Sequence, residues 1–333
     1  MKKTLYISII LLLVSGLAAA NYHGRGNCSK KNRTVAQFGV ITDLHHTNKA
    51  DSTSRKYSAA LEKAQYFVNV MNRKHADFVI ELGDFVDTLS GDKDPVQNLS
   101  EIETVFTGFR GPQYHVLGNH DFDNITRADL LPMLNNTRIP PGDTYYSFNH
   151  NGIHCIVLDA DYTVAPPHRA FDMQTPDDQY WSWQDAWIPQ DELDWLTADL
   201  ESANKPTVVF THQVMHRDVT EDHTIKNADV VRGILENDGQ VIAVFSGHDH
   251  RGELAVREGI HYLVLEGNVG MSLDWFNVSA TDGMHSVKDN PFSWIEITEK
   301  RELDFEDIRT YEIKVTGNAQ QYSFTDQVQI LTN

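Results

Sequence analysis

Five short runs in this chain end on residues that bind metal ions. They are Asp43 and His45 in VITDLH, Asp84 in ELGD, Asn119 and His120 in LGNHD, His212 in VVFTH, and His248 with His250 in SGHDH. Imidazole nitrogens, carboxylate oxygens and one amide carbonyl make a mixed donor set. Such a set favours borderline divalent ions such as zinc, iron, manganese or nickel over calcium and magnesium, which take mostly oxygen. The donors are too many for one tetrahedral zinc, and no cysteine-rich structural site accompanies them. Two ions sharing one carboxylate fit the count. Ions so paired lie about 3.5–4 Å apart, activate water and neutralise transferring phosphoryl oxygens.

Each run follows an apolar stretch that reads as a buried strand: 35–42, 77–82, 114–117, 206–210 and 241–246. A sheet gathers such positions at the carboxyl ends of its strands. Between them, helical periodicity runs through 55–74, 190–200 and 227–237, and Ser100 with Glu103 has the spacing of a capping box opening a short helix. Residues 145–148 and 153–159 suggest a hairpin turning at Asn151-Gly152, and further strands are expected near 253–257, 260–265, 292–298 and 304–315. The fold class is therefore a layered α/β (α+β) sandwich with central mixed β-sheets flanked by helices. One domain over 35–333 is expected, the alternative being a small appended β domain. The stretch 160–190 has few regular signals but carries Trp181, Trp183 and Trp187, and it reads as a lid or rim insertion.

The 333 residues, 41% of them hydrophobic, suffice for a sizeable core. A formal charge of −19 leaves no basic stripe for a phosphate backbone, so long nucleic acids are not expected as partners. Small phosphorylated substrates remain open, because bound cations reverse the local charge. Residues 1–20 pair Lys2 and Lys3 with a short apolar run and Ala18-Ala19-Ala20, the pattern of a cleaved signal peptide. The run is shorter than the roughly 20 residues a membrane span needs. An exported chain, periplasmic or extracellular and without a transmembrane segment, is the expectation, with 21–34 as a loose lead-in. The two cysteines, Cys28 and Cys155, cannot make a disulfide framework. Cys155 lies in an apolar run and reads as a buried thiol, while a 28–155 disulfide stays open.

Taken together, D43-L-H45, G83-D84, G118-N119-H120-D121, T211-H212 and G247-H248-D249-H250 resemble the calcineurin-like metallophosphoesterase superfamily, in the expected order across 40–250. The flanking runs are similar to the branch of manganese-dependent ADP-ribose and CDP-alcohol diphosphatases. The resemblance implies two divalent or mixed-valence ions (manganese, zinc or iron). Asp43, His45 and His250 would hold the first, Asn119, His212 and His248 the second, and Asp84 would bridge. It also implies in-line attack on phosphorus by a metal-activated hydroxide, with His120 assisting the leaving group and Asp121 orienting His120.

Purple acid phosphatases have a tyrosine ligand three residues after the bridging aspartate; here that position is Asp87, near the site or a solvated carboxylate. His46 is not counted as a ligand merely because it follows His45. His216, Trp181 and Trp183 are candidates for contact with substrate, the tryptophans by stacking a base or, on the alternative reading, by covering a sheet edge. The loop from Gly270 to Phe276 is a further candidate rim. The expected activity is a secreted phosphatase or phosphodiesterase acting on small organic or nucleotide-like phosphates. The alternatives are an ADP-ribose/CDP-alcohol-type diphosphatase and, in a different class, a nonenzymatic metal-binding surface or interaction protein.

Overall fold

Strands covered on both faces need continuous apolar runs, and the runs ahead of the candidate ligands form such strands. The computed structural model describes residues 32–87, 94–173, 180–270, 292–300, 308–317 and 321–329. The leader, Cys28 and nearly all of the 270–276 rim lie outside the described residues. Within them, β1 (Arg33–Ile41), β2 (Phe78–Glu81) and β3 (Gln113–His115) run parallel side by side. Antiparallel to β1 lies β10 (Ser293–Lys300), followed by β11 (Ile308–Gly317) and β12 (Gln321–Gln329), giving the order β12-β11-β10-β1-β2-β3.

The second sheet has the order β4-β5-β6-β7-β9-β8. Its members are β4 (Tyr146–His150), β5 (Ile153–Val157), β6 (Thr207–Phe210), β7 (Val241–Ser246), β8 (Arg251–Arg257) and β9 (Ile260–Glu266). β5, β6, β7 and β9 are parallel, and β4 and β8 close the edges antiparallel. The β4–β5 hairpin turns at Asn151-Gly152, both at positive φ (43° and 103°), which is the backbone an Asn-Gly turn supplies.

Side chains from both sheets interlock in one central cluster, including Phe38, Ile80, Phe210, Phe245 and Ile295. On the outer face of the first sheet, α1 (Ala60–Lys74) and α2 (Pro95–Phe106) bury Phe67, Met71, Leu99 and Phe106, and the short α3 (Arg127–Leu130) adds Leu130 to the same cluster. On the outer face of the second, α4 (Gln190–Ala203) and α5 (Ala228–Asp238) bury Leu193, Leu196, Val231 and Leu235. The result is helix, sheet, sheet, helix, as the sequence predicts. The last strands extend the β1 sheet, and Cys155 is a buried free thiol in β5. No helix among the described residues is long and apolar enough to cross a membrane.

Two local expectations change. Helix α2 starts at Pro95, not near Ser100, because Asp94 caps it by accepting from the Gln97 N–H at 3.0 Å and proline stands at the first helical position. Ser100 lies inside the helix. Strand β12 is absent from the expectations, although its QYSFTDQVQ sequence carries Tyr322, Phe324, Thr325 and Val328, residues that favour strands.

Candidate dinuclear metal centre

The parallel strands of both sheets point their carboxyl ends at one edge, and the candidate ligands leave from there. Asp43 and His45 follow β1, Asp84 follows β2, and Asn119 follows β3. His212 follows β6, and His248 with His250 follow β7. Four of these residues sit at positive φ: Asp43 at 54°, His45 at 49°, Asp84 at 54° and His248 at 65°. Non-glycine residues rarely adopt that conformation, which costs of order 1–3 kcal/mol each and concentrates at functional sites. The loops also need glycine where they touch. A Cβ on Gly83 would stand 2.7 Å from Nδ1 of His212, and one on Gly118 would stand 2.6 Å from Oδ1 of Asp84.

Three groups of donor atoms converge: two that share Asp84, and a third of His45, Asp87 and His120. In the first, Oδ1 of Asp43 lies 3.0 Å from Nε2 of His250, and Nε2 of His45 lies 3.4 Å from that nitrogen and 3.5 Å from Oδ2 of Asp84. In the second, Oδ2 of Asp84 lies 3.3 Å from Nε2 of His212, with His248 completing the group. Asp84 belongs to both. Oδ1 of Asp43, both amide atoms of Asn119, and Nε2 of His212 and of His248 are buried without a hydrogen-bond partner. Buried polar atoms left so are costly. Two cations would satisfy Oδ1 of Asp43 and of Asn119 and the Nε2 lone pairs of His212 and His248 at once, and the mixed set suits the ions expected.

The surroundings prepare the donors. Nδ1 of His212 donates to the Leu82 carbonyl at 2.7 Å, which leaves Nε2 as the lone-pair nitrogen. Nδ1 of His45 lies 3.3 Å from Oδ2 of Asp87. Burial opposes charge on Asp43 and Asp84. The imidazoles around them, His250 first for Asp43 and His212 first for Asp84, outweigh it and hold both carboxyls well below their ordinary range. Asp87 is held low as well, against its burial, by His45, His120 and Lys49. It is buried beside His45, which resolves the position the sequence left open.

Two expectations need correction. Asp121 does not touch the His120 ring: its carboxylate accepts the N–H groups of Phe85, Val86 and Gly118 and ties the two loops together. The partner of His120 is Asp123, because the 3₁₀ turn Asn119–Phe122 brings residues three apart onto one side. His216 lies 3.2 Å from Glu253, outside the converging donors, and stays a candidate for contact with substrate. Trp181 presents no free face, being buried, stacked on Phe171 at 4.5 Å and donating to the Asp172 carbonyl at 2.9 Å.

Trp183, by contrast, is 41% exposed, with its ring 4.9 Å from His223 and 6.1 Å from His248. His46 pairs with Glu101 and stays outside the donor groups. Sequence reasoning missed Asp123, His223, Lys49 and Arg55. Only Asp123 left a readable signal, its three-residue spacing from His120.

Comparison with known proteins agrees with this architecture. The chain is 25% identical, over 315 residues, to a manganese-dependent ADP-ribose/CDP-alcohol diphosphatase of Arabidopsis thaliana, covering 84% of this chain and 99% of that protein. It is 27% identical to the rice protein of the same description, covering 69% of this chain and 82% of that one. A dimetal phosphatase from Danio rerio superposes with a TM-score of 0.62 at 18% identity, over 90% of this chain and all of that one, and shares the fold. Residues 36–252, from the first β-strand through the last candidate ligand, match the profile of the calcineurin-like phosphoesterases, and the chain belongs to that family.

Proposed function

We propose that the protein is an exported hydrolase of small nucleotide-like phosphates, with a diphosphate linkage as its preferred bond. The observation that carries phosphoester chemistry is the convergence of two buried donor groups on the shared Asp84. Preference for a diphosphate is supported by the likeness to the Arabidopsis diphosphatase over nearly its whole length. Export rests on the 1–20 leader pattern alone.

Asp43, His45 and His250 would hold one ion and Asn119, His212 and His248 the other, with Asp84 between them. When bound, such ions polarise phosphoryl oxygens and lower the pKa of water. His120 stands beside this centre, its ring 4.9 Å from that of His45. Asp123 fixes the imidazole through Nδ1 at 2.6 Å, so Nε2 is directed at the reacting group and can give its proton to the departing oxygen. The exposed face of Trp183, with His223 beside it, offers a flat surface to a base or other aromatic group next to His248. The described residues of the 160–190 stretch, 160–173 and 180–190, would form the rim that carries this tryptophan.

The test is direct. Purified protein with manganese or zinc added is assayed on a phosphomonoester, a bis-aryl phosphodiester, a cyclic nucleotide and CDP-choline. Preferential CDP-choline cleavage is expected. A dominant monoester rate would overturn the diphosphatase preference, and absence of turnover on all four would overturn the enzymatic reading.

A further inference from the structure

Beside the donor groups lies a cationic edge that the ligand set does not use. Lys49 Nζ and Arg55 Nη1 both lie 2.5 Å from Asp87, one on each carboxylate oxygen. Among the described residues, Asp87 is the one carboxylate paired with either cation, so two positive charges share one negative. Arg55 continues past Asp87: its Nη1 reaches within 3.3 Å of Nδ1 of His45, and its Nη2 stands 3.4 Å from Nε2 of His120. That imidazole nitrogen is the atom that must meet the leaving group. The backbone at Arg55 is held by its N–H to Ser52 Oγ, its carbonyl from the Ser52 N–H and the Lys56 N–H to the Val269 carbonyl, while Asp87 anchors the guanidinium. A quarter of the Arg55 side chain remains exposed, so an approaching anion can reach it.

We propose that Arg55, supported by Lys49, is an anion subsite that binds the departing phosphate of a diphosphate substrate. This rests on the diphosphatase reading above. In the reaction, the oxygen of water bonds to one phosphorus and the P–O bond to the bridging oxygen breaks. That oxygen leaves with the electron pair as part of the second phosphate, and it receives the His120 proton while water's proton is released. A phosphate leaving group keeps anionic oxygens throughout, and a planar fork of donors next to the proton donor matches them. An aryl leaving group offers no such oxygens and gains little from the subsite.

The experiment compares wild type with Arg55→Ala and Arg55→Lys on two substrates of like transferred nucleotide: CDP-choline and the p-nitrophenyl ester of cytidine 5′-monophosphate. Arg55→Ala should lower kcat/KM for CDP-choline by on the order of 10²–10³, as loss of a transition-state donor does, and lower the aryl ester rate by less than about 10-fold. Arg55→Lys should recover part of the loss. Phosphocholine binding by calorimetry should weaken by at least about 10-fold in Arg55→Ala, with bound metal unchanged. Equal losses on both substrates, or loss of metal, would overturn the subsite and make Arg55 a support for Asp87 and His45. If wild type cleaves only monoesters, the diphosphatase reading falls. Phosphocholine binding then still decides the subsite, unchanged affinity counting against it.

Discussion

Nδ1 of His120 stands 2.6 Å from Oδ2 of Asp123, three residues along the same 3₁₀ turn, while Asp121 between them faces the opposite loop. Burial disfavours a charged imidazole here, but the carboxylates of Asp123 and Asp84 outweigh it and hold His120 up at about 9. Replacing Asp123 with Asn should lower kcat on the order of 10- to 100-fold, with bound metal retained. The alkaline limb of the pH–rate profile should move to lower pH, because the proton is held less tightly. An unmoved limb would assign that limb to another group.

Asp84→Ala and His120→Ala should fail differently. Asp84 is shared by two of the donor groups, so its loss should remove bound metal and activity together. His120 is not among the proposed ligands, and its replacement should leave metal content near wild type while slowing turnover roughly 10²–10⁴-fold. Metal analysis run beside the rates separates the two, and full activity in either variant would contradict the assignment.

Asp87→Asn tests whether the second carboxylate of GDFVD steers His45. The 3.3 Å approach of Oδ2 to Nδ1 fixes the ring and raises its basicity as a ligand. Metal affinity should fall about 10- to 100-fold, read by competition with a chelator. An unchanged affinity would leave Asp87 as a counter-ion for Lys49 and Arg55 alone.

The two tryptophans of the YWSW run should part company. Trp181→Ala removes a buried, stacked ring and should cost about 3–5 kcal/mol of stability. Trp183→Ala should stay within about 0.5 kcal/mol of wild type and raise KM for nucleotide substrates more than for alkyl phosphates. Denaturant unfolding and steady-state kinetics check both. A Trp183 variant with unchanged KM would remove the stacking surface from the substrate site.

Stability should depend on pH through a buried triad below the centre. His115 lies 3.2 Å from Glu103 and 3.6 Å from Glu81. Burial opposes its charge, but Glu103 and then Glu81 raise it from 6.5 to about 10. Burial raises Glu81 from 4.5 to about 7. Both groups hold their protons more tightly folded than unfolded. The stability His115 contributes is complete below about 6.5 and is lost as pH climbs through about 10, while that of Glu81 is complete below about 4.5 and lost through about 7. Unfolding free energy should therefore fall between pH 6 and 10, and His115→Gln should flatten that slope. Denaturant midpoints at pH 6, 8 and 10 give the answer, and parallel slopes would exclude the triad.

Much of this was legible because strand ends write their chemistry locally. Asp43, Asp84, Asn119, His212 and His248 each follow an apolar run directly, so the pattern of strands already places them on one edge. The hairpin at Asn151-Gly152 and the stop of α5 at Gly239 follow from backbone conformations that few residues adopt. The partner of His120 was misplaced because Asp121 is nearer in sequence, whereas a 3₁₀ turn makes Asp123 nearer in space. Arg55 and His223 come from irregular loops whose direction is set by tertiary contacts, and nothing in their spacing marks them. Helix α2 was placed late because Asp94-Pro95 outcompetes the weaker signal at Ser100.

The donors are divided between the two sheets: Asp43, His45, Asp84 and Asn119 belong to one, and His212, His248 and His250 to the other. Hydrogen bonds cross between them at this edge, among them His212 to Leu82, the His248 N–H to Asp43 and the Asn268 N–H to the Thr42 carbonyl. Bound cations would act there as rivets through a seam. Stripping them should let the edge gape while the apolar interior stays closed, with amide protons of the 43–46 and 247–250 loops exchanging long before those of β1 and β7. Ion supply would thus govern how firmly the two halves of the sandwich are clasped, and not only how fast a phosphoester is cleaved.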